Sequence, residues 1–251
     1  MLWNASKING YAVEASDGLI GTVSDFLFED RTWQIRWLVV ETGNWFSNHK
    51  VLLPLSTLGY PNQSTESFSV SLTRQQVRDS PDIDTDQPIS REMESKIYDF
   101  YGWDPYWSSL FNLGGTMPAM MEATIPIPRT SANKAQALGP ADQHLLSIDT
   151  ITGYHLEAVD GLIGHVHDFL IDDTNWHIRY LIAATSNWWP GMSVVLPSNS
   201  VKKVDWEERL LRLDVNRRQV QGSPRYDPRM RLDKAYQERL QEHYGSTNYW
   251  P

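Results

Sequence analysis

Asp17-Gly18-Leu19-Ile20-Gly21, followed by Val23, Asp25-Phe26-Leu27, Asp30, Trp33, Ile35-Arg36 and Leu38, is written twice in this chain. The second version reads Asp160-Gly161-Leu162-Ile163-Gly164, then Val166, Asp168-Phe169-Leu170, Asp173, Trp176, Ile178-Arg179 and Leu181, an offset of 143 residues. Working outward, the same offset relates Ile8, Gly10 and Tyr11 to Ile151, Gly153 and Tyr154, and Leu53-Pro54 to Leu196-Pro197. It still holds at Ser80-Pro81 against Ser223-Pro224 and at Tyr101-Gly102 against Tyr244-Gly245. Solenoid repeats run at about 20–50 residues, so a period of this size is a domain duplication. The expected division is a first copy over 1–107, a linker containing Pro and Gly over 108–147, and a second copy over 148–251.

Within a copy the pattern is that of strands. Asp17-Gly18 is a hairpin signal between Tyr11–Ala15 and Leu19–Glu29, and a second turn near Asp30–Thr32 leads into the apolar run Gln34–Thr42. With Val51–Pro54 and Ser67–Leu72 this gives five or six short strands on short connections, which predicts a small antiparallel barrel or curled sheet. Thr73 and Ser90 are N-cap residues for short helices, the second ending at Gly102, and Asp233–Tyr244 before Gly245 repeats that last helix. The fold class expected is therefore mainly β: two tandem small barrels, each followed by short α-helices.

The 251 residues carry 22 Lys/Arg against 31 Asp/Glu, a formal net charge of −9. Residues 1–107 hold 8 against 15 and residues 148–251 hold 12 against 14. A chain this acidic repels polyanions, so no nucleic-acid partner is expected. With no cysteine, thiolate metal sites and cysteine nucleophiles are excluded. No run approaches the 18 or so apolar residues of a membrane-spanning helix, and the expected compartment is the cytoplasm.

The Gly-Tyr strand, the Asp-Gly hairpin, Ile-Gly-x-Val-x-Asp-Phe, the Trp-x-Ile-Arg turn and strand, and the later Leu-Pro together resemble the PRC-barrel family. It is named for the cytoplasmic domain of the photosynthetic reaction centre H subunit, and a related barrel occurs in a ribosome maturation factor. The resemblance covers about 8–58 and 151–201, and its extension is similar to bacterial stand-alone tandem members. It implies a strongly bent antiparallel barrel and no shared catalytic residue.

Four groups of side chains invite a functional reading. Asp25 and Arg36 are charged residues on otherwise apolar strands; a turn centred on Asp30–Arg31 would place them opposite one another, with Asp168 opposite Arg179 in the second copy, as structural ion pairs. His165 and His167 share a strand face at i, i+2, a spacing seen in metal sites, but no third ligand accompanies them. Trp45-Phe46 and Trp188-Trp189 fall in equivalent loops, where large apolar groups need a surface to cover: the open end of their own barrel, or a partner. Asp79, Asp82, Asp84 and Asp86 lack the Gly and terminal Glu of a calcium loop. No nucleophile elbow, zinc-protease helix or phosphate loop is present. The sequence therefore reads as a non-enzymatic protein without a cofactor that binds a protein partner or itself, including as a homo-oligomer. The alternative is a small-molecule or metal-binding protein using the second copy.

Overall fold

The computed structural model describes residues 1–43, 49–81, 89–103, 105, 143–185, 192–227 and 232–245. In the first copy, β1 (Leu2–Asn4) runs into one helical turn, α1 (Ala5–Ile8), and then β2 (Ala12–Ala15), β3 (Gly18–Glu29), β4 (Ile35–Thr42) and β5 (Lys50–Pro54). A 3-10 turn, Leu55–Thr57, precedes β6 (Ser67–Ser69), α2 (Arg74–Arg78), β7 (Ile89–Ser90) and α3 (Arg91–Tyr101). The second copy opens with β8 (Gln143–Ser147) and α4 (Ile148–Ile151), then β9 (His155–Ala158), β10 (Gly161–Asp172), β11 (His177–Thr185) and β12 (Met192–Pro197). It closes with β13 (Val201–Asp205), β14 (Leu210–Leu213), α5 (Arg217–Gly222) and α6 (Lys234–Tyr244).

The strands assemble into two seven-stranded sheets, so the mainly β expectation holds. One has the order β5-β4-β3-β2-β6, the other β12-β11-β10-β9-β14-β13, with β7 and β8 joined to the first and β1 to the second. Two features differ from small antiparallel barrels. The pairs β2·β6 and β9·β14 are parallel. Among the described residues neither path closes on itself.

The helix signals are met where they were read. Thr73 and Gln76 form a reciprocal capping box on α2, Ser90 caps α3, and Gly102 and Gly245 end α3 and α6 in the left-handed conformation. These helices explain why β3 to β5 read as nearly continuous apolar runs rather than alternating ones: both of their faces are covered. One face, with Phe26, Phe28, Leu38 and Leu53, enters a core shared by the two copies. The other, with Leu27, Trp37, Val39 and Leu52, packs under Ile97 and Tyr98 of α3. In the second copy Leu170, Tyr180, Ile182 and Val195 meet Tyr236 and Leu240 of α6 in the same way.

The two copies exchange their first strands. Leu2, Trp3 and Asn4 pair with Asp172, Ile171 and Leu170 of β10, whereas Leu145, Leu146 and Ser147 pair with Glu29, Phe28 and Leu27 of β3. Adding the offset to either set gives the other, so the exchange is reciprocal and has the form of an isologous contact. Residues 143–147, which the sequence assigned to the linker, are thus strand β8.

The register of the β3–β4 hairpin also departs from the sequence reading. The loop runs to Trp33, which takes a left-handed conformation (φ 58°), and Glu29 donates its N–H to the Gln34 carbonyl. Phe28 consequently lies opposite Ile35. A bulge between Leu27 and Phe28 then leaves Arg36 as the extra residue, and Asp25 comes opposite Val39, so the expected Asp25–Arg36 pair does not form. In the second copy Asp168 lies opposite Ile182, Arg179 is the bulged residue and Trp176 repeats the left-handed turn (φ 54°), so Asp168 and Arg179 are likewise not partners.

Candidate functional site

The charged residues that the sequence singled out have work at the seam between the copies. Asp25 is 7% exposed. Its Oδ1 accepts from the backbone N–H groups of Phe26 and Asp149, and its Oδ2 accepts the Ser147 hydroxyl, so it grips the point where exchanged strand β8 turns into α4. Asp168 does the same for the other crossing: it accepts from Phe169 N, from the backbone and hydroxyl of Ser6, and from the Asn4 amide. Burial pushes the Asp25 carboxyl up to about 6, against the hydrogen bonds from Ser147, Asp149 and Phe26, which favour the charged form.

Each arginine goes instead to the acid at the end of its own hairpin. Arg36 donates to Glu29 Oε2 from Nε at 3.3 Å and Nη2 at 2.6 Å, and Arg179 donates to Asp172 at 3.2 Å. Burial alone would raise Glu29, but the bond and charge of Arg36 outweigh it and hold the carboxyl below its ordinary value. At Asp172 the bonds from Thr174 and the nearby Arg179 overcome burial in the same direction.

Between the arginines the hairpins join directly. Ile35 N donates to Trp176 O and Ile178 N to Trp33 O, both at 2.9 Å, framing an antiparallel bridge between Gln34 and His177. Trp176 lies 6.2 Å from Phe26 and 6.0 Å from Phe68, both of the first copy. Burial, together with the Arg179 charge, holds His177 below its ordinary value.

His165 pairs with Ala184 and His155, and His167 is the extra residue of the bulge between Val166 and Asp168. Asp168 and Leu170, not these histidines, lie opposite Ile182 and Tyr180. His167 lines a small cleft of about 110 Å³ between α1 and α4, with Asp25 and Asp168 on its two sides. The acids are turned to the backbone and hydroxyl groups already named, and among the described residues no cluster of three metal-ligating side chains occurs. Trp45, Phe46, Trp188 and Trp189, and residues Asp82, Asp84 and Asp86, lie outside the described residues. The bases of the two aromatic loops are described: Thr42 Oγ1 donates to His49 O and Thr185 Oγ1 to Met192 O.

The duplicated turn carries a feature that sequence reasoning passed over. Asp17 and Asp160 accept the first N–H of α2 and α5 from Arg74 and Arg217, both at 2.8 Å. Gly18 and Gly161 have φ of 137° and 125°. Ile20 and Ile163 are fully buried. At Gly21 and Gly164 a Cβ would stand 2.1 and 2.0 Å from the carbonyl oxygens of Glu41 and Ala184. The backbones of Leu19 and Leu162 pair with Glu14 and Glu157, and the Leu162 carbonyl accepts from Arg217, but their side chains point outward, the residues being 54% and 51% exposed. The signal was available as an apolar residue at the tip of a hairpin, in both copies.

A mainly β chain with two sheets locked together by exchanged strands is the class that this architecture defines. Residues 4–67 match the family model of the PRC-barrel domain, and the chain carries that domain there. It is also similar to an uncharacterised protein of Deinococcus radiodurans, 43% identical over 74 residues, which is 30% of this chain and 26% of that relative. The aligned part thus spans about a quarter of the relative's length. Among the described residues no helix is long and apolar enough to cross a membrane.

Proposed function

We propose that this is a non-enzymatic interaction module, a PRC-barrel domain followed by a second copy of itself, which presents one apolar knob twice to a protein partner or to another copy of the chain. The observation that carries the reading is the equal exposure of Leu19 and Leu162 in a turn whose other residues all have structural work. One exposed leucine is ordinary. The same leucine at the same turn of both exchanged copies makes a bivalent surface, and two linked contacts raise avidity well beyond either alone. Acids that could have served catalysis, Asp25 and Asp168, are engaged in holding the copies together.

The test is a comparison of the wild-type chain with the double variant Leu19→Ser/Leu162→Ser. Both changes are on exposed turns, so melting temperature should stay within a degree or two. Sedimentation velocity over a concentration series reads self-association, and affinity capture from the source cells reads partners. Species held by the wild type and released by the double variant support the proposal; identical association for both chains defeats it.

A further inference from the structure

One cavity beside the seam lies where the first copy's β4, the end of β5 and α3 meet the turn of the second copy. It is an open groove of about 780 Å³. Its apolar wall comes from Ile35, Pro54 and Leu55, and its rings from Tyr98, Trp103 and Trp176. Trp103 is fixed by stacking on Tyr101, with centroids 4.1 Å apart and planes within 10°. The rest of the described lining is Gln34, Arg36, Ser56 and Asn175, so among the described lining residues the Arg36 guanidinium, paired with Glu29, carries the one formal charge. Glu29 holds that guanidinium by Nε and Nη2 and so sets its plane at the rim.

The duplication supplies a control. Positions that the fold itself requires are the same in both copies: Ile35 and Ile178, Arg36 and Arg179, Pro54 and Pro197, Trp33 and Trp176. Three of the groove's apolar and aromatic positions differ, since Leu55, Tyr98 and Trp103 correspond to Ser198, Gln241 and Ser246. Leu55 and Trp103 are therefore not required by the fold of a copy. A volume within the usual 300–1,000 Å³ of ligand sites, apolar walls and a single oriented cation are what a small-molecule site needs.

We propose that this groove binds a planar aromatic acid, its ring system against Trp103, Tyr98 and Trp176 and its carboxylate or sulfonate toward Arg36. The reading concerns a ligand and stands apart from the protein-contact role of Leu19 and Leu162.

The experiment titrates the full chain with 8-anilinonaphthalene-1-sulfonate, followed by dye fluorescence and by quenching of tryptophan emission. N-phenyl-1-naphthylamine serves as the uncharged ring control. The variants Trp103→Ser and Leu55→Ser install the second copy's own residues, and Arg36→Gln removes the charge. Saturable one-site binding is expected, at least tenfold weaker in Trp103→Ser and in Leu55→Ser. Arg36→Gln is expected to weaken the sulfonate dye while leaving the uncharged one unchanged. If Trp103→Ser loses its cooperative melt, Leu55→Ser decides the site. Absence of saturable binding, or equal affinity in the wild type and both wall variants, overturns the proposal; equal loss of both dyes in Arg36→Gln overturns its acid half.

Discussion

Gln34 and His177 occupy the same place in the two copies, and they pair with each other. The bridge is antiparallel, and the Gln34 amide also donates to the carbonyls of Asn175 at 2.7 Å and Trp176 at 2.9 Å. A pair that joins a position to its own duplicate marks the centre of the twofold relation between the copies. With the exchanged strands it means that neither sheet is complete without the other copy. Unfolding should accordingly be a single transition. Calorimetry of the full chain is expected to give one peak with equal van't Hoff and calorimetric enthalpies; two resolved transitions would show that the copies fold independently.

Strand exchange makes a sharper prediction across the seam. Deleting residues 1–4 removes β1 and the Asn4 amide that Asp168 accepts. Loss of hydrogen-exchange protection is expected in the second copy, at Leu170–Asp172, before any change in β4. Unaltered protection at Leu170–Asp172 would sink the exchange.

Asp25 should make stability depend on pH in the sense opposite to that of an ordinary paired acid. Its folded value, about 6, lies above the reference 3.8, so the folded chain binds the proton more tightly than the unfolded chain does. Stability from this group therefore rises as pH falls from about 6 toward 4, and the buried charge costs stability above 6. From pH 7 to pH 5 the gain is about 1 kcal/mol at 1.36 kcal/mol per unit. Glu29 and Asp172, whose values are lowered, act the other way and only below the ordinary carboxylate range. His177, held below its ordinary value, opposes this gain between pH 7 and 5 in both chains, so urea melts at the two pH values should show a change more favourable by about that amount in the wild type than in Asp25→Asn. Asp25→Ala, which leaves the Ser147 hydroxyl and two N–H groups without their acceptor, should cost about 1–3 kcal/mol at either pH.

Much of this was legible in the chain. The duplication, the hairpin at Asp17-Gly18, the capped helices and the mainly β class all rest on local signals: turn residues, caps and periodicity. What was not legible is nonlocal. Nothing in Leu2-Trp3-Asn4 says that it pairs with the far copy, and Leu145-Leu146-Ser147 was read as the end of a linker because its partner strand is supplied by the first copy. Asp25 and Arg36 were recognised as residues needing a partner, but the partner was misassigned. A left-handed Trp33 and a bulge at Arg36 shift the register, and neither has a sequence signature as clear as a glycine.

The corrected register is testable with double-mutant cycles. Glu29→Gln and Arg36→Gln should couple by about 0.5–1 kcal/mol, since the pair is half-buried and doubly bonded. Asp25→Asn and Arg36→Gln should add within about 0.5 kcal/mol. Strong coupling in the second cycle would restore the register read from the sequence.

The two glycines that close the repeated motif separate steric exclusion from backbone strain. At Gly21 an added methyl meets the Glu41 carbonyl oxygen at 2.1 Å, and at Gly164 it meets that of Ala184 at 2.0 Å; both obstacles are backbone within a paired strand and cannot rotate away. Gly164 also has φ of 146°, which an alanine adopts only with strain, whereas Gly10, at φ 84°, has nothing within 4 Å of an added Cβ. Gly10→Ala should therefore show strain alone, about 1–2 kcal/mol. Gly21→Ala should show overpacking, about 1–3 kcal/mol, and Gly164→Ala the two together, the largest loss of the three. At about 2–4 °C per kcal/mol for a chain of this size, thermal melts resolve the order. A Gly164→Ala chain melting at or above Gly10→Ala would mean that the β10–β11 approach is looser than 2.0 Å implies.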